Sequence, residues 1–370
     1  MPNLNISRIG FLTPGNYAEA DPFTGLEETL QLFKFGEELG FNNAWVRQRH
    51  LERGVSSAAT FLAAASQRTQ HIALGTAVIQ MGYENPFRLA EDLATVDVLS
   101  RGRLHVGLSA GAPPHGALLG DRFYDGDPQG IDFSHARVSR LRANLQGEPF
   151  GDDDDFIESP AGRQRPRLQP QAPGLPERLW YGGGSLRSAE WAGRNHFNLL
   201  IGNLNVGEKT DNFFEAQRQQ LDLYHAHWSA PHKSHAAPRV AMGRVIVPTD
   251  SADTHSRQRY RDYAASRHER TLQPQGPRRT LFSRDLVGSA EQILESLLAD
   301  PVLPYVQELR LELPYDFAAE EYQQILADTV QLIAPHLGWN ATVHPAQGEK
   351  QGEKIAAKET SPSPLRAIPA

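Results

Sequence analysis

Eight short apolar segments alternate with segments of helical periodicity over residues 1–340, and this alternation constrains the fold more than any other feature. The predicted strands are Ile9–Leu12, Phe41–Val46, Ile72–Ile79, Arg103–Ser109, Leu179–Tyr181, Phe197–Ile201, Val240–Val247 and Val306–Leu313. Strands that are joined through helices pair in parallel, and eight such units close into a (β/α)8 barrel of about 250 residues. We therefore predict an α/β fold of the TIM-barrel type, with an open doubly wound sheet as the alternative.

Two connections are too long for ordinary loops. Residues 147–177, after the fourth predicted strand, are polar and Pro-rich, which predicts an excursion such as a hairpin. A second excursion is predicted at residues 273–285, between the seventh and eighth strands. Residues 341–370 have too few apolar side chains to offset the entropy of ordering. We expect a barrel domain at 1–340 and a disordered polar C-terminal tail at 341–370.

The composition excludes several classes of function. The 370-residue chain has no cysteine, so it has no disulfide, thiolate metal site or cysteine nucleophile. A net charge of −7 argues against a nucleic-acid surface. No apolar run approaches the ~18–20 residues of a membrane span, and the first residues lack the layout of a signal peptide. We expect a soluble, cytoplasmic protein that binds neither nucleic acid nor membrane.

The segment Gly107–Gly111 has the G-x-S-x-G pattern of a serine-hydrolase nucleophile elbow, with Ser109 at its centre. That elbow must turn directly into a helix. Here Pro113 and Pro114 follow, and a proline restricts the residue before it away from helical geometry. A glycine-rich loop at the rim of a barrel is the favoured interpretation, and a hydrolase using Ser109 is the alternative.

Two further patterns suggest ligands but lack the required chemistry. Residues 202–210 resemble a phosphate-binding P-loop, but Glu208 stands where that loop needs a lysine. Four histidines lie close together at positions 225, 227, 232 and 235, without carboxylates at a suitable spacing. We interpret them as a solvated face and predict no metal site. No G-x-G-x-x-G dinucleotide motif occurs in the sequence.

A run of three glycines ends the fifth predicted strand, and a helix begins directly after it. Gly182, Gly183 and Gly184 allow a ligand to approach the backbone closely, and Ser185 and Ser188 lie in the first turn of the helix. A helix start presents unpaired N–H groups and the positive end of a dipole. These donors predict a phosphate-binding site. In the alternative interpretation Ser185 merely caps the helix.

Several segments together resemble the bacterial luciferase-like flavin monooxygenases. They lie in the same order as in that family, over about residues 4–336, and are Gly40–His50, Leu74–Val78, Asn85–Asp92, Leu99–Leu104 and Leu286–Ile293. The resemblance implies a (β/α)8 barrel that binds the phosphate of FMN at the helix after the fifth strand. That position is the one occupied by the glycine run.

The resemblance also implies further cofactor contacts. Family members often have a non-proline cis peptide bond beside the flavin ring, at the end of the third strand, and Thr76, Ala77 and Val78 match that segment. At the end of the fourth strand, Ser109 and Ala110 replace a cysteine and an arginine of the luciferases. We therefore expect Thr76–Val78 and Ser109 to contact the flavin.

The second strand ends in the luciferases with Glu-His-His, where this chain has Gln48-Arg49-His50. The second histidine is retained as His50, and Arg49 replaces the first, which is catalytic in the luciferases. A histidine of near-neutral pKa can move a proton, whereas an arginine does not deprotonate. We expect His50 to be catalytic, with Arg49 beside it to hold an anionic flavin or an acidic substrate. In the alternative interpretation His50 packs beneath the rim of the barrel and Arg49 pairs with a loop carboxylate.

The resemblance thus implies a monooxygenase that uses reduced FMN and O2 to oxidise a small organic substrate. The reduced flavin is expected from a separate NAD(P)H:flavin reductase, because the chain has no dinucleotide motif. Relatives commonly form homodimers, which is also expected here. The alternatives are a deazaflavin-dependent hydride transfer on the same fold, the serine hydrolase, and a binding protein without catalytic activity.

Overall fold

The computed structural model describes residues 6–228 and 237–341, and its centre is a closed barrel of eight parallel strands. The barrel strands are β1 (Arg8–Thr13), β2 (Asn43–Val46), β3 (Ala73–Gln80), β4 (Leu104–Ser109), β7 (Leu179–Gly182), β8 (Asn198–Ile201), β10 (Val240–Arg244) and β14 (Glu308–Glu312). Around the barrel the order is β1-β14-β10-β8-β7-β4-β3-β2. All eight predicted segments supply a barrel strand, so the TIM-barrel prediction is confirmed. The predicted tail, from residue 342 onward, lies outside the described residues.

Helices follow the strands and cover the outside of the barrel. They are α1 (Pro22–Glu38), α2 (Ala58–Arg68), α3 (Pro86–Leu99), α4 (Gly116–Leu119), α5 (Ala136–Leu145), α6 (Leu186–Arg194), α7 (Phe213–Trp228), α8 (Thr254–His268), α9 (Ala290–Leu298) and α10 (Ala319–Asp328). Local chemistry fixes their starts: Asn85 caps α3 with Pro86 at its first position, and Ser289 and Gln292 form a capping box on α9. None of the helices in the described part of the chain is long and apolar enough to cross a membrane.

Six short strands lie outside the barrel. They are β5 (Ile157–Ser159), β6 (Gly162–Gln164), β9 (Leu204–Val206), β11 (Ile246–Pro248), β12 (Thr280–Phe282) and β13 (Leu286–Gly288). The antiparallel pair β5–β6 is the hairpin predicted in the first excursion, whereas β12, from the second excursion, pairs antiparallel with β9. These additions lie around the barrel and do not interrupt it.

The seventh predicted strand, Val240–Val247, was wrong in one respect. The barrel strand β10 ends at Arg244, and Ile246–Val247 belong to β11, which pairs in parallel with β13. β10 and β11 are both buried throughout. A run of residues that is buried along its whole length does not reveal where the chain changes its pairing partner.

Two tryptophans fill the inside of the barrel. Trp45 from β2 and Trp180 from β7 are fully buried, with perpendicular rings whose centroids are 5.7 Å apart. Trp180 donates from Nε1 to Nδ1 of His105, at 3.0 Å. A Cβ atom on Gly75 would lie 2.1 Å from Cε3 of Trp45, so only glycine at 75 lets the ring lie against β3. The interior is a packed core, and ligands are therefore expected at the carboxyl ends of the strands.

Candidate active site

The residues predicted for the site come from four adjacent strands. In the barrel order β7, β4, β3 and β2 are consecutive neighbours, and all of them are parallel. Arg49 and His50 follow β2, Thr76–Val78 lie in β3, Ser109 ends β4, and the glycine run with Ser185 and Ser188 follows β7. The structure thus brings the predicted residues to one sector of the barrel, at its carboxyl face except for Thr76, which is buried within β3.

The third strand has the geometry implied by the family resemblance. The peptide bond between Ala77 and Val78 is cis, and the register of the β3–β4 pairing shifts at this point. A Cβ atom on Gly182 would lie 3.4 Å from Cγ1 of Val78, so this segment faces the start of the glycine run. Thr76 is different: its buried hydroxyl donates to the carbonyl of Gly107 and accepts from its N–H, at 3.0 and 2.9 Å. That hydroxyl links β3 to β4 and does not point toward a ligand.

The glycine run leads into α6, and the space in front of its last glycine is open. No described atom lies within 4 Å of a Cβ atom built on Gly184. Ser185 is the N-cap of α6: its Oγ accepts from the N–H of Ser188 at 3.1 Å and donates to Oγ of Ser188 at 2.9 Å. Ser185 therefore does cap the helix, and the two hydroxyls also form one connected pair of polar groups at its start.

Tyr181 of β7 contacts the end of β4. The hydroxyl of Tyr181 accepts from the N–H of Ala110 at 3.2 Å, and burial raises the pKa of this phenol. The chain after Ser109 does not turn into a helix, since α4 begins only at Gly116. Ser109 therefore lacks the strand–turn–helix geometry of a hydrolase elbow. It lies at the carboxyl end of β4, beside the glycine run of the neighbouring strand.

An acidic side chain already binds the start of α6. Oε2 of Glu208 accepts from the N–H of Leu186 at 2.7 Å. Glu208, which follows β9, thus places a negative charge at the positive end of the helix dipole, where anions are stabilised. An anion-binding helix start, two hydroxyls and an open glycine surface match the donors that a flavin phosphate requires. The residues present therefore fit FMN.

His50 is held in a defined orientation by its neighbours. Its ring stacks on Tyr83, with centroids 3.9 Å apart, and its Nε2 lies 3.0 Å from Nε2 of Gln48. Oε1 of Gln48 accepts from the N–H of Ala58, which fixes the amide so that its nitrogen donates to His50 and to Glu84. Nε2 of His50 is then the acceptor and Nδ1 holds the proton. Burial lowers the pKa of His50, so the ring is neutral at pH 7.

Arg49 lies at the rim of the barrel, with one phenolic and one acidic partner. Its Nη2 donates to the hydroxyl of Tyr315 at 3.1 Å, and its Nη1 is 4.0 Å from Oε1 of Glu52. The side chain of Glu52 is half exposed, so this ion pair contributes little to stability. Arg49 is therefore free to exchange Glu52 for an anionic ligand.

Charged residues in β14 and next to it, buried inside the barrel, were not predicted from the sequence. Glu312 ends β14 and accepts from Nη2 of Arg47 at 2.9 Å, with Nη2 of Arg310 at 3.5 Å. Burial opposes the ionisation of Glu312, but Arg47 and Arg310 outweigh it and hold the pKa of this carboxyl below its usual value. The charged residues alternate with leucines in β14, and such a pattern normally indicates a strand with one solvated face.

Comparison with known proteins identifies the family. The family profile described as luciferase-like monooxygenase matches residues 8–302. The chain belongs to this family. It is 38% identical over 104 residues to limonene 1,2-monooxygenase of Rhodococcus erythropolis, which is 27% of each chain. It is 26% identical over 193 residues to the oxygenase component of the flavin-dependent trigonelline monooxygenase of Acinetobacter baylyi, which is 50% of each chain. The chain thus matches about a quarter to a half of these relatives' length.

Solved structures agree on the fold of this member of the luciferase-like monooxygenase family. The oxygenating constituent of 3,6-diketocamphane monooxygenase from Pseudomonas putida, in complex with FMN, has a TM-score of 0.64 at 16% identity, covering 90% of this chain and 98% of that one. An F420-dependent secondary alcohol dehydrogenase has a TM-score of 0.56 at 15% identity, covering 87% of this chain and 99% of that one. At these identities the likeness shows the fold, which serves both flavin and deazaflavin enzymes. Within residues 6–228 and 237–341, no cluster of acidic and histidine side chains has the geometry of a metal site.

Proposed function

We propose that this luciferase-like monooxygenase binds FMN at the carboxyl face of its barrel and uses reduced FMN and O2 to oxidise a small organic substrate. The observation that carries the proposal is the contact between two segments distant in sequence. The cis peptide segment at Ala77–Val78 faces Gly182, and the glycine run continues from there to the capped start of α6. A flavin ring and its phosphate need such an apolar strand end and such an anion-binding helix start side by side.

Each residue of this site has a distinct role in the proposal. The start of α6, with the hydroxyls of Ser185 and Ser188, binds the phosphate through charge-assisted hydrogen bonds, and the N–H of Leu186 joins them when the phosphate displaces Glu208. Gly184 leaves open space in which the cofactor lies against the backbone, and Gly182 and Gly183 lead to it while packed against Val78 and Leu199. Val78 and Ser109 border the ring. Bound reduced FMN supplies the electrons that activate O2. The protein binds and orients the reactants and excludes water.

His50 is the proton-holding group of the proposed site. Gln48 occupies its Nε2, so the neutral ring presents a proton on Nδ1 and gains a second proton only by breaking the contact with Gln48. A donor held in this way can stabilise negative charge that develops on an oxygen atom. Arg49 adds a permanent positive charge at the rim.

We propose a separate NAD(P)H:flavin reductase as the source of reduced FMN. The trigonelline relative is an oxygenase component by name, and this chain has no G-x-G-x-x-G motif for a nicotinamide cofactor. The deazaflavin alternative is favoured by the F420-dependent neighbours, whose identity to this chain is low. The two functions differ in what happens when oxygen is admitted.

An oxygen-mixing experiment tests the proposed function. The protein is mixed anaerobically with reduced FMN, air is then admitted, and flavin absorbance is followed with and without protein. We expect bound FMN to be reoxidised at a rate different from that of free FMN, and oxygen uptake to couple to oxidation of an organic compound in a substrate screen. The proposal fails if FMN does not bind, or if reduced F420 binds and transfers hydride to a substrate without oxygen uptake.

The phosphate site predicts a preference for FMN over riboflavin of at least about tenfold, since one hydrogen bond to a charged group contributes ~1.5–3 kcal/mol. Ser185→Ala and Ser188→Ala should each remove part of that preference and leave riboflavin affinity unchanged, as measured by quenching of flavin fluorescence. Ser289→Ala is the matched control, because Ser289 caps α9 in the same way but lies outside the site. Equal affinity of the wild type for both flavins would reduce the serines to helix caps.

Substitution of Glu208 should change FMN affinity in the opposite direction. Its carboxylate binds the same helix start as the proposed phosphate, and two negative charges there repel each other. Glu208→Gln should therefore raise FMN affinity about threefold or more, and should do so most at low salt. Riboflavin, which has no phosphate, is the control ligand in the same titration. Weaker FMN binding by Glu208→Gln would show that Glu208 supports the site instead of competing for it.

A further inference from the structure

An arginine cluster lies at the carboxyl end of the barrel, on the side away from α6. It consists of Arg47 after β2, Arg49 on the same loop, Arg310 in β14, Arg267 at the end of α8, and Arg270 just beyond. Two buried carboxylates lie among these five side chains. Glu312 pairs with Arg47 and Arg310, and Asp285 pairs with Arg267. Positive charge therefore exceeds negative charge in this buried region.

Arg310 has hydrogen-bond donors for which the described residues provide no acceptor. Its side chain is only 5% exposed, yet its Nε and Nη1 have no hydrogen-bond acceptor among the described residues. The Nε atoms of Arg47, Arg49 and Arg270 are also buried, and the described part of the chain offers them no acceptor. Buried guanidinium N–H groups are costly to leave unpaired. Neighbouring buried donors without an acceptor are typical of a site whose acceptor comes from a ligand.

Gly243 and Tyr315 make room for these arginine side chains. Nη2 of Arg310 and Oε1 of Glu312 lie 3.0 and 2.1 Å from a Cβ atom built on Gly243, so the missing side chain at 243 is the space they use. Arg47 lies with its guanidinium carbon 5.9 Å from the ring centre of Tyr315, whose hydroxyl accepts from Arg49. Arg47, Arg49 and Arg310 thus lie around Glu312 and Tyr315 at the carboxyl end of the barrel.

We propose that this arginine cluster binds a carboxylate group of the substrate, so that the protein acts on an organic acid. The statement that the acid is oxidised rests on the proposed function, whereas the binding of a carboxylate by the cluster does not. Arginine forks match a carboxylate geometrically and bind it with paired hydrogen bonds. The substrate carboxylate would supply the acceptors that Arg310 and Arg47 lack and would replace the weak Glu52 contact of Arg49.

The position of the cluster favours the substrate over the flavin phosphate as its ligand. In the closed ring of eight strands, β2 and β14 flank β1, and β1 lies opposite β7, which leads to the proposed phosphate site. An anion bound at α6 is therefore separated from the cluster by the width of the barrel mouth. A reduced flavin ring, which can carry a negative charge, is the other possible source of an anion and is distinguished by the test.

The test compares organic acids with their neutral amides. Benzoate with benzamide, and cyclohexanecarboxylate with cyclohexanecarboxamide, are titrated by calorimetry into the full-length protein with and without FMN. We expect each carboxylate to bind at least about tenfold tighter than its amide, with the difference shrinking at high salt. Arg47→Gln and Arg49→Gln should each weaken carboxylate binding about fivefold or more. Arg53→Gln is the control, because Arg53 is 65% exposed and faces Glu19.

A second variant should change carboxylate affinity in the opposite direction, an effect that loss of folding cannot produce. Glu312→Gln keeps the shape of the side chain but frees both arginines from their internal carboxylate. It should strengthen carboxylate binding, with a circular dichroism spectrum like that of the wild type. Equal affinity for acids and amides overturns the inference. So does an Arg47→Gln variant that loses affinity for reduced FMN but not for the acids. Binding of acids without any binding of FMN would overturn the proposed function alone.

Discussion

The His50→Ala protein is expected to bind FMN like the wild type and to oxidise substrate about 100-fold more slowly or worse, the loss seen when one positioned proton donor or acceptor is removed. The reason is geometric: Gln48 and Tyr83 fix the ring, so no neighbouring group can take its place when it is removed. The measurement is the rate of oxygen-dependent substrate oxidation with chemically reduced FMN, beside a fluorescence titration of FMN.

His50→Phe is the matched control for packing. Phenylalanine keeps a ring against Tyr83 but cannot hold a proton, so it should lose activity as alanine does while retaining thermal stability. If His50→Phe is as active as the wild type, the ring only packs and the catalytic assignment is wrong. If only His50→Ala is inactive and also unstable, the role is likewise structural.

The pH profile gives an independent readout of the same role. Burial disfavours the charged imidazolium and lowers the pKa of His50 from its ordinary value of 6.5. The neutral form therefore persists as the pH falls through 6.5, and the activity that depends on it should be lost only at lower pH. In His50→Phe this acidic limb of the profile should disappear. An unchanged limb would assign the titration to another group.

The barrel was predictable because its signals are local and repeated. Most of the eight strands are short apolar runs followed by a helix, and some of these helices begin at recognisable capping residues such as Asn85 and Ser289. These signals do not depend on contacts elsewhere. What failed was the exit of the chain from the barrel at Arg244. That residue is held by Asp300 and Gln217, which are distant in sequence, so the change of partner has no local signal.

The glycine run and the end of β2 could be recognised in the sequence because residues of these types seldom occur together for other reasons. The arginine cluster could not be recognised, and the residue pattern of β14 shows why. Glu308, Arg310 and Glu312 alternate with leucines, a pattern that predicts a solvated face. In a closed barrel the second face points inward, and these three side chains are 4–5% exposed. Only the closure of the sheet decides between water and the barrel interior, and closure is a property of all eight strands.

Glu208 shows a similar limit. In the sequence it is the residue that spoils a P-loop pattern, and nothing nearby relates it to α6. The antiparallel pairing of β9 with β12, together with the N–H of Leu186, gives it a place at the helix start. The negative charge that argues against a P-loop in the sequence thus lies, in the structure, at the helix start where we propose that the flavin phosphate binds.

Gly75→Ala is expected to destabilise the protein by about 1–3 kcal/mol or more, because its Cβ would lie 2.1 Å from Cε3 of Trp45 and 2.6 Å from Cζ3, inside a packed barrel with no room for either to move. Urea denaturation measures the change. Gly126→Ala is the matched control: no described atom lies within 4 Å of its Cβ, so its effect should be near zero or slightly stabilising. In a Trp45→Leu background the cost of Gly75→Ala should fall, since the clashing ring is gone. An unchanged cost there would mean that the strain lies in the β3 backbone and not against the tryptophan.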